Sequence, residues 1–296
     1  MKNRYSSYLD AIALKLFAKL SRQALATSIE INGRAFKAPI ISSCSCGFSE
    51  PWMADVLSIL LPDCQGAVLD NRANIGQTLV KVKAVNTNKA YIGVEPSSFS
   101  VYYLQKLIEA NSFVDVAVIP VALHTENTIK KLIHFELNDA DSCASIVPGF
   151  REDSASTSSQ YVATANWETI CATLQNKEIG LIKIDIEGGE LEALESLLDA
   201  VQSARPPILL EILPAYQVSN AFRVERQNKI EQLLRDLDYQ LYRIAKTQED
   251  RFKHLLRIEA IGIHSDLSLC DYAALPRDKE FSILNTMSGR SEVLEV

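Results

Sequence analysis

Apolar and polar positions alternate along this chain in blocks that are typical of an α/β protein. Short apolar runs predict buried strands, and most are followed by segments in which apolar residues recur every three or four positions, as in a helix. The predicted strands of the sheet cover residues 67–71, 90–95, 113–123, 181–187, 206–212, 239–244 and 254–264. This order predicts a parallel sheet with right-handed crossovers that ends in an antiparallel hairpin.

The first 60 residues predict a cap in front of this sheet. Near the N-terminus, four apolar residues recur at helical spacing, namely Leu9, Ile12, Leu16 and Leu20. We expect this stripe to pack on the domain or on a second copy of the chain in a homodimer, and a membrane surface is the remaining alternative. Short strands at 29–36 and 39–43 and a helix at 51–61 complete the predicted cap.

Three parts are predicted from these patterns. They are the cap at residues 1–60, a domain at 61–265 and a C-terminal tail at 266–296, where strong periodicity is lacking. Inside the domain, residues 124–167 predict an insert in which two extended pieces flank a serine-rich connection at 153–160. That connection predicts either a substrate lid or a solvated loop.

Composition narrows the classes of function. With 296 residues, of which 47% are hydrophobic and 23% charged, the chain suits one large globular domain with additions. Its net charge of -7 argues against a general nucleic-acid binder, because binding to phosphates needs clustered lysine and arginine. No apolar run approaches the roughly 20 residues that a membrane span requires, so no stable span is predicted.

The spacing of cysteine and histidine predicts no metal site. The six cysteines include no CxxC pair, and the four histidines show no HxxxH or HxH spacing. Asp10, Lys15 and Lys19 interrupt the apolar stretch that a secretory signal would need. Reduced thiols without a secretory pattern predict a cytoplasmic protein.

The stretch LIKIDIEGGE, at residues 181–190, carries the strongest chemical signal. Its apolar run, which only Lys183 and Asp185 interrupt, predicts a central strand, and two glycines then lead into a helix. Ligands of open α/β sheets bind at the carboxyl ends of the strands, so Asp185 and Glu187 lie where a ligand is expected. A structural alternative pairs Asp185 with Lys183 and leaves Glu190 to stabilise the N-terminus of the helix.

Two earlier strand ends add to this signal. Asp70 ends the first strand of the domain, and Asn74 and Gly76 follow in the turn before a helix, whose exposed amides can hold an anionic group. Glu95 ends the second strand, where a carboxylate can accept both hydroxyls of a ribose. Acidic residues after three strands together predict a cofactor that carries a nucleoside.

Five segments of the chain together resemble the FkbM family of S-adenosylmethionine-dependent methyltransferases. They are LDNRANIGQ, YIGVEP, IPVAL, LIKIDIEGGELEALES and PPILLEI, and the resemblance covers roughly residues 68–244. The resemblance implies a Rossmann-like class I methyltransferase fold, with a seven-stranded, mostly parallel sheet whose last strand is antiparallel. It also implies S-adenosylmethionine as the cofactor.

The resemblance implies a set of cofactor-binding residues. They are Asp70, Arg72, Asn74, Gly76, Glu95, Pro96, Ala122, Leu123 and Asp185. Among them, Glu95 would bind the ribose hydroxyls, the turn after Asp70 would shape the methionine pocket, and Ala122 and Leu123, at the end of the third strand, would border the adenine. Glu211, at the end of the fifth strand, is a further candidate member of the pocket.

The resemblance also implies a catalytic group of three residues, Lys183, Asp185 and Glu187, facing the transferred methyl group and its acceptor. Our hypothesis makes Asp185 or Glu187 the base that takes the proton of the acceptor, with Lys183 orienting the carboxylates or the acceptor oxygen. His124 and His134 are alternative bases. A divalent cation held by the two carboxylates is a further alternative, for which the sequence offers no specific ligand spacing.

One residue departs from the family pattern. The family turn reads DVGANIG, with a glycine where this chain has Arg72. A glycine lets the backbone approach the methionine part of the cofactor, whereas an arginine adds bulk and a positive charge near a sulfonium. Arg72 is therefore expected to block the cofactor, to swing outward or to pair with the cofactor carboxylate.

Two functions remain open at this point. The first is an O-methyltransferase that acts on a hydroxyl of a small-molecule or carbohydrate acceptor. The second is a binding protein that keeps the fold while Arg72 blocks the cofactor. A nicotinamide dehydrogenase is disfavoured, because LDNRANIG lacks the first two glycines of the GxGxxG pattern.

Overall fold

The computed structural model describes residues 25–151, 155–175 and 177–294. The apolar stripe near the N-terminus lies outside these residues, so its packing stays a prediction. Within the described residues, no helix is both long enough and apolar enough to span a bilayer.

The chain folds into strands and helices that alternate through most of its length. The strands are β1 (Ala26–Ile31), β2 (Arg34–Pro39), β3 (Ala67–Asn71), β4 (Tyr91–Val94), β5 (Val116–Ile119), β6 (Ala122–Leu123), β7 (Thr128–His134), β8 (Ser158–Ala165), β9 (Ile179–Ile184), β10 (Ile208–Glu211), β11 (Tyr239–Lys246), β12 (Phe252–Arg257) and β13 (Asp271–Pro276). The helices are α1 (Pro51–Leu60), α2 (Gln77–Val85), α3 (Ser98–Asn111), α4 (Trp167–Thr173), α5 (Glu190–Ser196), α6 (Leu198–Ala204), α7 (Ala221–Asp236) and α8 (Arg277–Leu294).

The main sheet confirms the predicted α/β class. Its strand order is β12-β11-β13-β10-β9-β3-β4-β5, with β10, β9, β3, β4 and β5 parallel to one another. β13 runs antiparallel to both β10 and β11, and β12 is antiparallel to β11. The sheet therefore has eight strands among the described residues, one more than the seven predicted.

The additional strand comes from a segment for which the sequence predicted a tail. β13 inserts between β10 and β11, and all six of its residues are buried. The strand predicted at 254–264 is instead the short edge strand β12, which ends at Arg257. The sequence signal of β13 is weak, because DYAALP begins with an aspartate, contains two alanines and ends in a proline, and all three residue types are depleted in strands.

Two other predicted strands are each divided in the structure. The prediction over 29–36 runs through a turn at Asn32 and Gly33, which both have positive φ, so β1 and β2 form a hairpin. The prediction over 113–123 breaks at Pro120, which has no N–H for a ladder. Ala122 and Leu123 consequently form β6 in a separate sheet of order β6-β8-β7, rather than ending the third strand of the main sheet.

Hydrophobic cores cover both faces of the main sheet. Side chains alternate between the faces, so that Leu181 packs with residues of β1, α1, α2 and α3, whereas Ile182 packs with α5 and α7. The first core includes Trp52 and Leu57 of the predicted cap, which places that segment directly on the sheet.

Strand order places a crevice beside β3. The chain moves from β3 to β4 and β5 on one side, and later fills the other side with β9 and β10. Ligands of open α/β sheets bind at such a switch point, outside the carboxyl ends of the strands. The ends of β3 and β9, which carry the predicted site residues, are neighbours there.

Candidate active site

Lys183 stands between two carboxylates at the adjacent ends of β3 and β9. Its Nζ lies 2.9 Å from Oδ2 of Asp185 and 3.5 Å from Oδ1 of Asp70. Burial alone would lower the pKa of Lys183, but Asp185 and Asp70 outweigh burial and hold this pKa well above its usual value. The amine is therefore charged throughout the physiological range.

Asp70 lies beneath the site rather than on its surface. The side chain is fully buried, and its Oδ2 accepts a hydrogen bond from the hydroxyl of Tyr91. Burial raises the pKa of Asp70, while Lys183 opposes this increase. Asp70 thus forms an ion pair with Lys183 from the buried side of the site.

Asp185 and Glu211 form a pair of carboxyl groups at the ends of β9 and β10. Burial alone would raise the pKa of Asp185, but Lys183 and a hydrogen bond from Glu211 hold it well below its usual range. The charge of Asp185, with burial, raises the pKa of Glu211 to about 11. At neutral pH, Asp185 is therefore the ionised member and Glu211 the protonated donor.

The turn after β3 is held in an unusual backbone conformation. Arg72 and Asn74 have φ of 81° and 43°, a region that side chains other than glycine rarely enter. The N–H of Asn74 donates to Glu95 at 2.8 Å, which fixes the turn to β4. Gly76 has a φ of 91° and lies against α3, where a Cβ would meet Leu107 at 2.5 Å.

Glu95 is oriented by two backbone amides. One carboxylate oxygen accepts from the N–H of Asn74 and the other from the N–H of Ser97, each at 2.8 Å. Burial raises the pKa of Glu95, and these backbone hydrogen bonds oppose the increase. Each oxygen keeps a further lone pair with which to accept a hydroxyl of a ligand.

Glu187 lies between two arginines. Its Oε2 is 2.6 Å from Nη2 of Arg151, and its Oε1 is 3.9 Å from Nη1 of Arg72. Burial raises the pKa of Glu187, while the two arginines oppose the increase. Burial would lower the pKa of Arg72, but Glu187 and the neighbouring carboxylates outweigh it and raise this pKa.

The insert covers this part of the site. The Ser145 hydroxyl donates to the carbonyl of Glu187 at 2.6 Å, and the carbonyl of Asp141 accepts from Nη2 of Arg72 at 3.3 Å. Gly188, with a φ of 100°, lies against the ring of Phe150, where a Cβ would come within 2.4 Å. The glycine therefore allows the insert to close on the end of β9.

A cavity of about 40 Å³ lies at the ends of β3 and β4. Its lining combines the turn after β3, the end of β4, β6 and the insert. The lining residues are Asn71, Arg72, Asn74, Glu95, Pro96, Ser97, Ala122, Leu123, Leu132, Asp141, Ala144, Ile146 and Ile186. The structure thus brings together six of the nine residues predicted to bind the cofactor.

Three predicted cofactor residues lie outside this lining. Asp70 is beneath it, Gly76 is turned toward α3, and Asp185 belongs to the neighbouring cluster with Lys183 and Glu211. Sequence reasoning missed Asn71, whose signal was its place directly after Asp70 at the end of a strand. It also missed Arg151, which the chain sequence places far from the strand ends.

The two alternative histidine bases have other contacts. The His124 ring accepts from the N–H of Glu126 at 3.1 Å, and burial lowers the pKa of this histidine. His134 lies 3.4 Å from Asp141 and 3.1 Å from the side-chain amide of Gln160. These contacts hold both rings in the insert region rather than beside Asp185.

Among the described residues, one group could hold a metal by the proximity of its ligand atoms, namely Glu136, Asp141 and Cys143 in the insert. The carboxylate of Asp141 already accepts hydrogen bonds from the backbone N–H groups of Phe135, Glu136 and Cys143, which accounts for its position.

A second, larger cavity of about 1100 Å³ lies at the opposite ends of the strands, beside Gly180 and Pro207, and is remote from the clustered charges.

Comparison with known proteins gives one family match. Residues 70–241 match the family model described as "Methyltransferase FkbM domain". No curated protein matches the chain.

Several solved structures match the chain at low identity and with TM-scores below 0.5. The methyltransferase FkbM from Methylobacillus flagellatus KT is 16% identical, with a TM-score of 0.44, over 71% of this chain and 43% of that chain. The O-methyltransferase from Bacillus cereus in complex with SAH is 11% identical, with a TM-score of 0.45, over 77% of this chain and 82% of that chain. The aligned part of this chain thus spans less than half of the length of the FkbM structure.

Proposed function

The chain belongs to the FkbM family of S-adenosylmethionine-dependent methyltransferases, and from this premise we propose that it methylates a hydroxyl group of a small-molecule or carbohydrate acceptor. One observation carries the proposal. An ionised carboxylate, Asp185, lies at the strand end next to the cavity that contains Glu95.

The residues of the cavity fit the cofactor. The carboxylate of Glu95 suits the two ribose hydroxyls, and Ala122 and Leu123 offer apolar surface for the adenine. At the other end, Asn71 and Arg72 carry buried donor atoms that have no hydrogen-bond partner among the described residues. The lining therefore offers acceptors, apolar surface and donors, as a nucleoside with a charged tail requires.

When bound, S-adenosylmethionine supplies an electrophilic methyl carbon on a sulfonium, which an acceptor oxygen attacks in line. The task of the protein is then mainly to align the acceptor, and such positioning contributes about 7 to 11 kcal/mol in favourable cases. The insert contacts the end of β9 through Ser145 and Phe150, and it would exclude water from this side of the site.

Asp185 is the better of the two candidate bases. Asp185 is 25% exposed, whereas Glu187 is 8% exposed and both of its oxygens face arginines, so an acceptor reaches Asp185 more easily. The proton of the acceptor hydroxyl would pass to Asp185 as the new C–O bond forms. Lys183 and the protonated Glu211 would hold the carboxylate in position, each through a hydrogen bond to it.

A second function is favoured by a different observation. The cavity measures only about 40 Å³, and the guanidinium of Arg72 contributes to its lining. Sites for molecules of cofactor size have volumes of about 300 to 1,000 Å³, so the chain must open before it binds one. If it does not open, the protein is a binding protein that retains the methyltransferase fold.

Calorimetric titration of the full-length chain with S-adenosylhomocysteine separates the two functions. Saturable binding supports the enzyme, and no binding at millimolar concentration supports the second function. Incubation with labelled cofactor and pools of hydroxylated metabolites then tests the acceptor class. Labelled product that releases methanol on mild alkaline hydrolysis would be a methyl ester and would contradict transfer to a hydroxyl.

A further inference from the structure

We infer that Arg72 and Asn71 bind the carboxylate of the cofactor's methionine moiety, so that the arginine is a specificity-determining residue rather than an obstruction. The inference rests on the proposed function. It concerns the position at which this chain departs from the glycine of its family.

Both side chains have a buried donor without a partner. Nη1 of Arg72 and Nδ2 of Asn71 make no hydrogen bond to any described residue, although Arg72 is 10% exposed and Asn71 only 2%. Glu187 is 3.9 Å from Nη1, which is beyond hydrogen-bond distance. A buried donor without an acceptor costs free energy, and a carboxylate oxygen is the acceptor that an arginine favours most.

The backbone at Arg72 gives a second, independent indication. Its φ of 81° lies in the region that favours glycine, so an arginine there is strained. Strain of this kind persists at ligand sites where the side chain performs a function. The arginine therefore carries two costs, from its backbone and from its unpaired donor, and a bound carboxylate would offset the second.

The position of Arg72 identifies which anion it receives. The cavity that Arg72 and Asn71 line also contains Glu95, which suits the ribose. Arg72 and Glu95 lie on adjacent strands, because the N–H of Arg72 donates to the carbonyl of Val94 at 2.8 Å. An anion beside Arg72 therefore belongs to the same ligand as the ribose, and the carboxylate is the one anionic group of S-adenosylmethionine.

The charges of Arg72 and of the carboxylates around it make the position beside Arg72 the favourable one in the crevice for an anion. Glu187, Asp185 and Glu95 act on the charge of Arg72 and would repel a carboxylate placed elsewhere in the crevice. At Arg72 the carboxylate would meet a positive charge with a free N–H. The ammonium of the cofactor would in turn be attracted by the surrounding carboxylates.

Two ligands that differ only in the carboxylate test the inference. We propose calorimetric titration of the full-length chain with S-adenosylmethionine and with decarboxylated S-adenosylmethionine, without an acceptor. We expect the unmodified chain to bind S-adenosylmethionine about 10- to 100-fold more tightly, as a charge-assisted hydrogen bond implies. In Arg72→Gly, the affinities for the two ligands should differ by no more than about 3-fold, because the donor to the carboxylate is lost.

Two further variants serve as controls. Arg151→Gln removes the other arginine that contacts Glu187, but Arg151 lies outside the lining of the cavity, so the ratio should stay at its original value. Arg72→Lys keeps the charge without the planar fork and should give an intermediate ratio. Glycine suits the backbone at position 72, so Arg72→Gly should melt no lower than the unmodified chain.

The outcomes are distinct. A ratio that Arg72→Gly leaves unchanged, or tighter binding of S-adenosylmethionine by this variant, overturns the inference while the proposed function stands. The inference is also overturned if the affinity ratio falls in Arg151→Gln as much as in Arg72→Gly. Removing any positive charge near the site would then have the same effect. If no variant binds either ligand, both the inference and the proposed function are wrong.

Discussion

At the scale of single residues, the neighbours of each carboxyl group decide its charge. Asp185 and Glu211 are both partly buried carboxyl groups at strand ends, yet their pKa values move in opposite directions, because Lys183 contacts Asp185 whereas the charge of Asp185 itself faces Glu211. The pair therefore has Asp185 as its ionised member and Glu211 as the donor of a hydrogen bond to it.

Replacing Asp185 tests its assignment as the base. In Asp185→Asn, turnover with an identified acceptor should fall by about 100- to 10,000-fold, the range that a positioned base contributes. The affinity for S-adenosylhomocysteine, measured by calorimetry, should stay within a few-fold, since Asp185 lies outside the lining of the cavity. Unchanged turnover would remove Asp185 from the mechanism.

A second prediction concerns Glu190, at the first position of α5. Burial raises its pKa to about 7. In the unfolded chain the carboxyl group has a pKa near the ordinary value for glutamate, so the folded chain binds this proton more tightly. The resulting stability is fully present below the unfolded pKa and is lost as the pH rises through about 7.

Glu190→Gln should remove this pH dependence. Relative to the unmodified chain, we expect little change in the free energy of unfolding at pH 5 and an increase of about 1 to 3 kcal/mol at pH 8. Urea denaturation at both pH values measures the difference. An equal loss of stability at both values would mean that the carboxylate is needed for structure in its charged form.

At the scale of elements, the placement of β13 is the largest difference between the predicted sheet and the observed one. All six residues of this strand are buried between β10 and β11, although the sequence predicted a tail there. The apolar pattern misses this strand, because the run in DYAALP is only four residues long and half of it is alanine, which is depleted in strands. Its partners, β10 and β11, are distant in the sequence and only the folded sheet supplies them.

Matched substitutions in β13 and in the edge strand β12 test this placement. Leu275→Ala in β13 removes a side chain that is 0% exposed, and it should lower the free energy of unfolding by about 2 to 5 kcal/mol. The matched change Leu256→Ala in the edge strand β12 removes a side chain that is 50% exposed and should cost less than about 1 kcal/mol. Similar losses in urea denaturation would show that β13 does not lie inside the sheet.

At the scale of the whole molecule, the predicted cap shares a core with the sheet. Trp52 and Leu57 pack in the same apolar cluster as Leu181 and Leu275. An ion pair joins distant parts of the chain as well, because Nε of Arg251 donates to Asp55 at 2.8 Å. We therefore expect the described parts of the chain to unfold together.

The two tryptophans of the chain allow a direct test of this expectation. Trp52 lies in α1 with an exposed fraction of 2%, and Trp167 lies in α4 with 6%, on the other face of the sheet. Trp52→Phe and Trp167→Phe each leave one fluorescent reporter. The fluorescence of each variant should show a single urea transition. Once the curves are scaled by the stability of each variant, they should coincide with the transition followed by circular dichroism. Fluorescence from Trp52 that changes before the circular dichroism signal would contradict a shared core.

The order of the residues along the chain predicted the fold class, because periodic apolar runs are local and each strand of the parallel part carries its own signal. AVLDN was predicted with the bounds that β3 has in the structure. The residues at the strand ends were predicted for the same reason, since the end of a strand is also a local feature. The proximity of β3 and β9 then follows from the general rules for α/β sheets.

Only the tertiary structure decided which of these residues meet. Arg151 reaches Glu187 across 36 positions, and Glu211 lies close enough to hydrogen-bond Asp185 because β10 lies beside β9. The unpaired donor of Arg72, the burial of Asp70 and the place of β13 likewise depend on contacts between distant segments. Burial and charge depend on what surrounds an atom in space, and a linear pattern of residues does not contain that information.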